Sequence, residues 1–299
     1  MLTLGSELAV GQGRYRDAAV LYPRYRLHVV RRDRLVYDAA FAPETRPSRE
    51  FVHLVCFVAG QAELAGCRRT TPVAVLMTSA EFAGGGSAGP SYRSWGDPAL
   101  SVELTLPAAA LRRPVGLACG PVELGAATWE QIVAVAEAFA AGTALAPPLH
   151  ILVQLLIEEG ALDAELLSPT PEPSAAIQRV WQAVRTRYAR GRGTTTLLEL
   201  AAASGVSAVQ VARDFATLLH AYPYLGASYR DVVRVLRLRA ALGLLSAPGA
   251  AVEEVARAVG YGSVAAMRRA FRDASMAAPT AIRRACAYRH GEPRTAAEG

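Results

Sequence analysis

The side chains in this sequence best placed to do chemistry are arginines. Arg268, Arg269 and Arg272 fall on one side of a short periodic run whose other side carries Met267, Ala270 and Phe271. Upstream, Arg213 stands two residues before Phe215, just as Arg269 stands two before Phe271. A guanidinium presents five N–H donors in a fixed fork, which suits the O6/N7 edge of guanine and also phosphate oxygens. An arginine-faced helix therefore reads either as a nucleic-acid contact or as the solvated face of an ordinary helical hairpin. Catalytic and metal chemistry find little support. The Ser, His and Asp residues form no nucleophile elbow, and there is no His-x-x-x-His or Cys-x-x-Cys, so no catalytic residue, metal site or cofactor is expected. His28 and His53 are too far apart in sequence to suggest a metal pair.

The elements that must aim these arginines can be read from periodicity. In residues 252–284, Val252, Val255, Ala256 and Val259 form the apolar stripe of a short helix, Gly260 breaks the period, and the Arg-faced run follows. A glycine there can take positive φ and turn the chain. Helix, glycine turn and basic second helix is the layout of a helix-turn-helix. Residues 197–215, LLELAAASGVSAVQVARDF, repeat it with Gly205 in place of Gly260, 55 residues upstream. The glycine-to-phenylalanine spacing is 10 residues in the first copy and 11 in the second. Residues 229–245 between them are continuously helical in pattern, long enough to fix the two units rigidly. Thr196 and Glu199 form a capping box, and Ser207 with Gln210 suggests another. Gln210 has two readings, an adenine contact or a side chain folded back as a cap.

On Arg237-Leu238-Arg239-Ala240-Ala241, Leu244-Leu245, Ala256, Gly260-Tyr261, Arg269, Phe271, Pro279 and Arg283, the chain resembles the AraC/XylS family of bacterial transcription regulators. The resemblance covers about residues 176–288. It implies a double helix-turn-helix domain on double-stranded DNA, with RNA polymerase as a further partner, a homodimeric state and a small-molecule effector. It puts base contacts at Val209, Ala212 and Arg213 in the first unit and at Val264, Ala265, Arg268 and Arg269 in the second. Gln210 and Arg272 adjoin them. Arg213 and Arg269 are open to base readout, phosphate contact or pairing with a local carboxylate. Three departures weaken the likeness: extra residues between Phe215 and Gly226, Asp214 at an apolar core position, and Ser275-Met276 replacing an aromatic-glycine pair. The second unit is therefore expected to carry most of the sequence preference. The rival reading is an interaction module whose degenerate helix-turn-helix no longer binds DNA.

The expected fold is α+β in four parts. Residues 1–166 form a sensor and dimerisation domain, 167–175 a linker, 176–288 the DNA-binding domain and 289–299 a tail. From residue 176 onward there are 18 Arg against 8 Asp and Glu, and before it 14 against 18, so the phosphate-binding charge sits in the second half. Lysine is absent, a compositional bias with no functional message. Strand-like runs at 26–37, 51–59, 61–65, 73–77 and 100–106 suggest a small barrel, which the family resemblance makes cupin-like. Helical runs at 129–141 and 148–167 would close it and could form the dimer seam. Gly84, Gly85 and Gly86 read as a loop, with no phosphate cradle. The Pro-punctuated stretch 168–174 should hold the two halves apart without fixing their angle. Trp181 at helical spacing reads as core. Cys56, Cys67, Cys119 and Cys286 read as reduced and mostly buried. The N-terminus lacks a signal pattern and no run is long enough to span a membrane, so a cytoplasmic protein is expected.

Overall fold

The computed structural model describes residues 1–43, 51–64, 66–79, 92–112, 120–189, 196–226, 228–289 and 292–293. The glycine loop at 84–86, Cys119, Arg190, Arg192 and residues from 294 onward lie outside the described residues. An N-terminal antiparallel sheet domain is followed by a C-terminal helical domain.

The sheet contains β1 (Leu2–Val10), β2 (Gly13–Leu21), β3 (Arg26–Asp33), β4 (Leu35–Asp38), β5 (Phe51–Leu64), β6 (Cys67–Thr70), β7 (Val73–Thr78), β8 (Tyr92–Pro107) and β9 (Gly120–Val122). Its order is β1-β2-β3-β8-β5-β7-β9, with β4 added to β8 and β6 to β5. The run expected as one strand over 26–37 is divided at Arg34, whose left-handed φ of +55° ends β3. Conversely, the described residues of the runs 51–59 and 61–65 form one long strand, β5. Its register against β8 shifts between Phe57 and Gln61, where Gly60 takes φ +94°. A bulge interrupts the inside–outside alternation, so one bent strand reads in sequence as two. The β1–β2 hairpin, whose Leu2, Leu4, Leu8 and Val10 keep the strand period, did not figure among the expected strands.

One face of the sheet is covered by α1 (Ala126–Ala141) and α2 (Ala146–Glu158). Ile132, Val135, Phe139, Leu149, Leu152 and Leu156 pack there against Val29, Leu54, Val102 and Leu104. The helical run expected to reach residue 167 stops at Glu158. Gly160 (φ +70°) turns the chain, and a 3-10 turn capped by Asp163 follows.

The helical domain comprises α3 (Ala175–Ala189), α4 (Leu197–Ser204), α5 (Ala208–Ala221), α6 (Tyr229–Leu244), α7 (Val252–Ala258), α8 (Val264–Arg272) and α9 (Pro279–Ala285). It shares two apolar cores with the sheet. Val36, Phe57, Tyr92 and Trp95 join Leu238, Leu242, Leu245, Val255 and Phe271 in one. Leu2, Leu4 and Leu21 join Trp181, Val184, Phe215 and Leu218 in the other.

The stretch 168–174 therefore does not hold the halves apart, contrary to the sequence expectation. Trp181 is core, but core between domains: it is buried, and its indole N–H donates to the Thr3 carbonyl at 2.8 Å. Buried in the same junction, the Val36 N–H donates to Ser246 Oγ at 2.7 Å, and Ser246 donates on to the Gly243 carbonyl at 2.6 Å. A Cβ on Gly13 would run into Leu35 and Ala247, so the hairpin and the loop after α6 approach too closely for a side chain. Each large apolar side chain fully buried here contributes about 1.5–3 kcal/mol. Several together outweigh the freedom a flexible spacer would keep. Among the described residues, no helix is long and apolar enough to cross a membrane. Cys56 and Cys286 are buried, whereas Cys67 is exposed on β6.

Candidate nucleic-acid interface

Two units of similar construction flank α6. In the first, Thr196 and Glu199 make the expected capping box at the start of α4. Gly205 then ends α4 with φ +68°, and Ser207 caps α5 by accepting the Gln210 N–H at 3.2 Å. No heavy atom lies within 4 Å of where a Gly205 Cβ would sit, so the turn requires glycine for its backbone angle and not for space. In the second, Gly260 takes φ +85° between α7 and α8, and Ser263 caps α8 by accepting the Ala266 N–H at 3.1 Å. The α6 helix touches both. Tyr229 meets Phe215 edge-on with ring centroids 5.0 Å apart, and the Arg237 guanidinium lies 5.7 Å from the Tyr261 ring centroid.

On α8, Met267 and Phe271 are buried while Ala265, Arg268, Arg269 and Arg272 are exposed; Val264 is half-buried. Among the described residues, Arg272 approaches the exposed Asp273 at 4.0 Å. On α5, Val211, Phe215 and Leu218 are buried, Ala212 and Arg213 are exposed, and Val209 is 63% exposed.

The Gln210 side chain does not fold back as a cap. Its side-chain amide donates to Asp214 Oδ1 at 2.6 Å, one helical turn on. Asp214 is buried and its other oxygen accepts from Arg179 of α3 at 2.7 Å. Burial raises the Asp214 pKa, but the hydrogen bonds from Arg179 and Gln210 and the charge of Arg179 outweigh it, and the carboxyl sits below its ordinary value. A residue that looked like a defect in the recognition unit is thus a cross-link between α3 and α5. The extra residues after Phe215 prolong α5 to Ala221, and Tyr224 beyond it donates its hydroxyl proton to the Tyr22 carbonyl at 2.6 Å. Ser275 supplies the left-handed turn after α8 with φ +55°.

Residues 200–285 match a family described as "Helix-turn-helix domain". This is an AraC-type helix-turn-helix domain. The AraC-type domain is the DNA-binding module of transcription regulators. A search of curated proteins gives no match. Among solved structures, the chain is similar to the C-terminal domain of AraT, a response regulator from Geobacillus stearothermophilus. Identity is 22%, over 43% of this chain and all of that one, with a TM-score of 0.34. Similarity to ToxT from Vibrio cholerae extends over 87% of this chain and 98% of ToxT, at 10% identity and a TM-score of 0.35. The AraC-like transcriptional activator CuxR is similar over 69% of this chain and 75% of CuxR, at 14% identity and a TM-score of 0.31. Likeness at these scores transfers no residue roles.

Behind the AraC-type domain lies a buried polar cluster that sequence reasoning did not single out. His28 of β3 sits between two carboxylates, with Nε2 3.0 Å from Asp17 Oδ2 and Nδ1 3.4 Å from Glu103 Oε2. Asp17 also accepts from the Ser6 N–H at 2.8 Å and hydroxyl at 2.7 Å, and from the Tyr188 hydroxyl of α3 at 2.8 Å. On the far side of β8, the Thr105 hydroxyl is 3.1 Å from His53 Nδ1. Burial opposes charge on all three of the first-named groups, and in each case the partners win. His28 is raised by Asp17 and Glu103, Asp17 is lowered by His28, Ser6 and Tyr188, and Glu103 is lowered to about 2 by His28, Arg32 and Arg239. The available signal was polarity at inward strand positions: His28 stands between Leu27 and Val29, and Glu103 between Val102 and Leu104.

Proposed function

We propose that the chain is a sequence-specific transcription regulator in which α5 and α8 are recognition helices entering successive major-groove segments on one side of a duplex. The observation that carries this reading is α8. Its apolar face is buried on Met267 and Phe271, and Arg268, Arg269 and Arg272 are left to solvent behind a left-handed glycine turn. Arg269 and Arg213 take guanine edges or the adjoining phosphates. Arg268 takes a base edge beside Arg269, Arg272 holds the backbone, and Val209, Ala212, Val264 and Ala265 touch thymine methyls. Gln210 can reach a base only by leaving Asp214.

The proposed partition is 1–166 for sensing and dimerisation, 167–175 connecting, 176–288 for DNA and 289–299 a tail. Homodimer contact through α1 and α2 is supported by the exposed Val133 and Ile151 on their outer faces. Control by a small effector and output through RNA polymerase complete the reading.

The test is retention of random duplex by the full chain across a salt series. Binding should weaken steeply as salt rises, because arginine–phosphate contacts release counterions. No retention at low salt would instead favour an interaction module.

A further inference from the structure

Asp214 is the one buried residue of α5 that is not apolar; the others are Val211, Phe215 and Leu218. Packing does not call for a carboxylate at that place, and burying one is costly unless its oxygens are met. Both are met. Oδ2 accepts from Arg179 of α3 at 2.7 Å, and Oδ1 accepts from the side-chain amide of Gln210 at 2.6 Å. A buried ion pair is often matched in stability by apolar side chains of similar volume. The carboxylate is therefore better accounted for by what it does to its neighbours than by what it adds to the fold.

Gln210 lies in the first turn of α5, where Ser207 accepts its backbone N–H at 3.2 Å. It precedes Arg213 by three residues, which places the two side by side on the helix. The first turn is the part of a recognition helix that meets base edges. Glutamine reads adenine there, Oε1 accepting from N6 and Nε2 donating to N7. In this chain the amide is otherwise engaged. Val209, Ala212 and Arg213 are exposed, whereas Gln210 is half-buried with its amide on Asp214. The Asp214 carboxyl sits below its ordinary value and is ionised at neutral pH. An ionised carboxylate only accepts, so Nε2 and not Oε1 must face it. Arg179 holds the second oxygen, and the carboxylate cannot turn away to release Gln210. A hydrogen bond to an ionised acceptor is roughly twice as strong as one between neutral groups, and an adenine edge offers only neutral ones.

We infer that Asp214 is a specificity-determining residue that acts through Gln210: it keeps the Gln210 amide out of the groove, so that the first unit does not discriminate at the base pair beside the Arg213 contact. The inference rests on the DNA-binding reading above and deepens it. It gives the expected inequality of the two units a physical cause, since one reader of the first is withheld and Arg213 is left as its polar contact.

The experiment is anisotropy of the full chain on the duplex recovered by genomic footprinting and on derivatives of it. In these, each base pair under the first unit is replaced in turn by the other three. The proteins are the parent, Gln210→Ala, Asp214→Leu and the Asp214→Leu, Gln210→Ala double variant. Leucine offers no acceptor, so Asp214→Leu frees the amide and should gain a preference of about 10-fold for adenine at one position. The double variant should lose that preference and return to the parent profile. Asp214→Met, whose flexible side chain fits irregular space, should show the same gain and serves if the leucine variant does not fold. A carboxylate with only a structural role would change affinity for all the duplexes alike. Three results would overturn the inference: Asp214 variants that bind with the parent profile, a gained preference that persists in the double variant, or a parent preference at that position that Gln210→Ala removes. Binding with an unchanged profile overturns this inference alone. No binding of any duplex by any of the proteins overturns the DNA-binding reading and this inference with it.

Discussion

Tyr188 of α3 donates its hydroxyl proton to Asp17 of β2 at 2.8 Å, across the boundary between the sheet and the helices. Asp17 is buried and already bound to His28 and Ser6, so the α3 helix is anchored to a charged group that cannot move to water. Tyr188→Phe removes only that hydroxyl. The expected loss is about 1.5–3 kcal/mol, the range for a hydrogen bond to a charged group. Urea unfolding checks it, and a variant as stable as the parent would show that the contact does not hold α3 in place.

The polar cluster should give stability a pH dependence with two limbs. His28 is raised in the folded chain above its ordinary 6.5. Its contribution is full below 6.5 and is lost as pH rises through the raised folded value. Glu103 is depressed from 4.5 to about 2, so its contribution is full above 4.5 and is lost as pH falls toward 2. Urea midpoints should be highest near pH 6.5, because His53, held well below its ordinary value by burial, Arg26 and Arg239, costs stability as pH falls below 6.5, and His28→Gln should flatten the alkaline limb. An unchanged alkaline limb in His28→Gln would place the titration elsewhere.

Asp214 and Arg179 should respond unequally to substitution. Arg179 is about a third exposed and can be solvated alone, whereas Asp214 is buried. Arg179→Ala strands a buried carboxylate and should cost about 2 kcal/mol. Asp214→Leu replaces it with apolar volume and should be near neutral or stabilising. Thermal unfolding of the two variants orders them; the reverse order would mean that the carboxylate is not the costly member of the pair.

Ser275 holds φ +55° and is exposed. Ser275→Gly removes a left-handed strain of about 1–2 kcal/mol and pays part of it back in backbone entropy. A net gain of about 0.5–1 kcal/mol is expected in chemical denaturation, with DNA affinity unchanged. A loss of stability would mean that the serine side chain contributes there.

How much of this was legible in the sequence divides along physical lines. The helical half was readable because its signals are local. The stripe Val252, Val255, Ala256, Val259, the glycines at 205 and 260 and the Thr196–Glu199 box each act within one or two turns of chain. The long helix expected over 229–245 lies at Tyr229–Leu244. The sheet was partly readable, failing where a bulge at Gly60 or a left-handed Arg34 broke the period. What could not be read was the docking. Trp181 is apolar at a helical spacing whether its partner is its own domain or β1, and only the fold decides. Asp17, His28, Glu103 and Tyr188 are separated by up to 171 residues in pairs that touch, and no spacing rule links them. Gln210 illustrates the same limit at short range, since its i,i+4 partner Asp214 became available only because Arg179 from another helix made burial of that carboxylate tolerable.

The measurement closest to the central claim is anisotropy of the full chain on a duplex recovered by genomic footprinting and on random duplex, over a salt series, for the parent, Arg213→Ala and Arg269→Ala. The parent should bind both duplexes at low salt and prefer the recovered one. Arg269→Ala should lose about 10- to 100-fold on the recovered duplex, the equivalent of one guanine contact, and much less on random DNA. Arg213→Ala should lose less than Arg269→Ala. Binding that is absent at low salt, or that survives Arg269→Ala unchanged while Arg213→Ala abolishes it, would contradict the account.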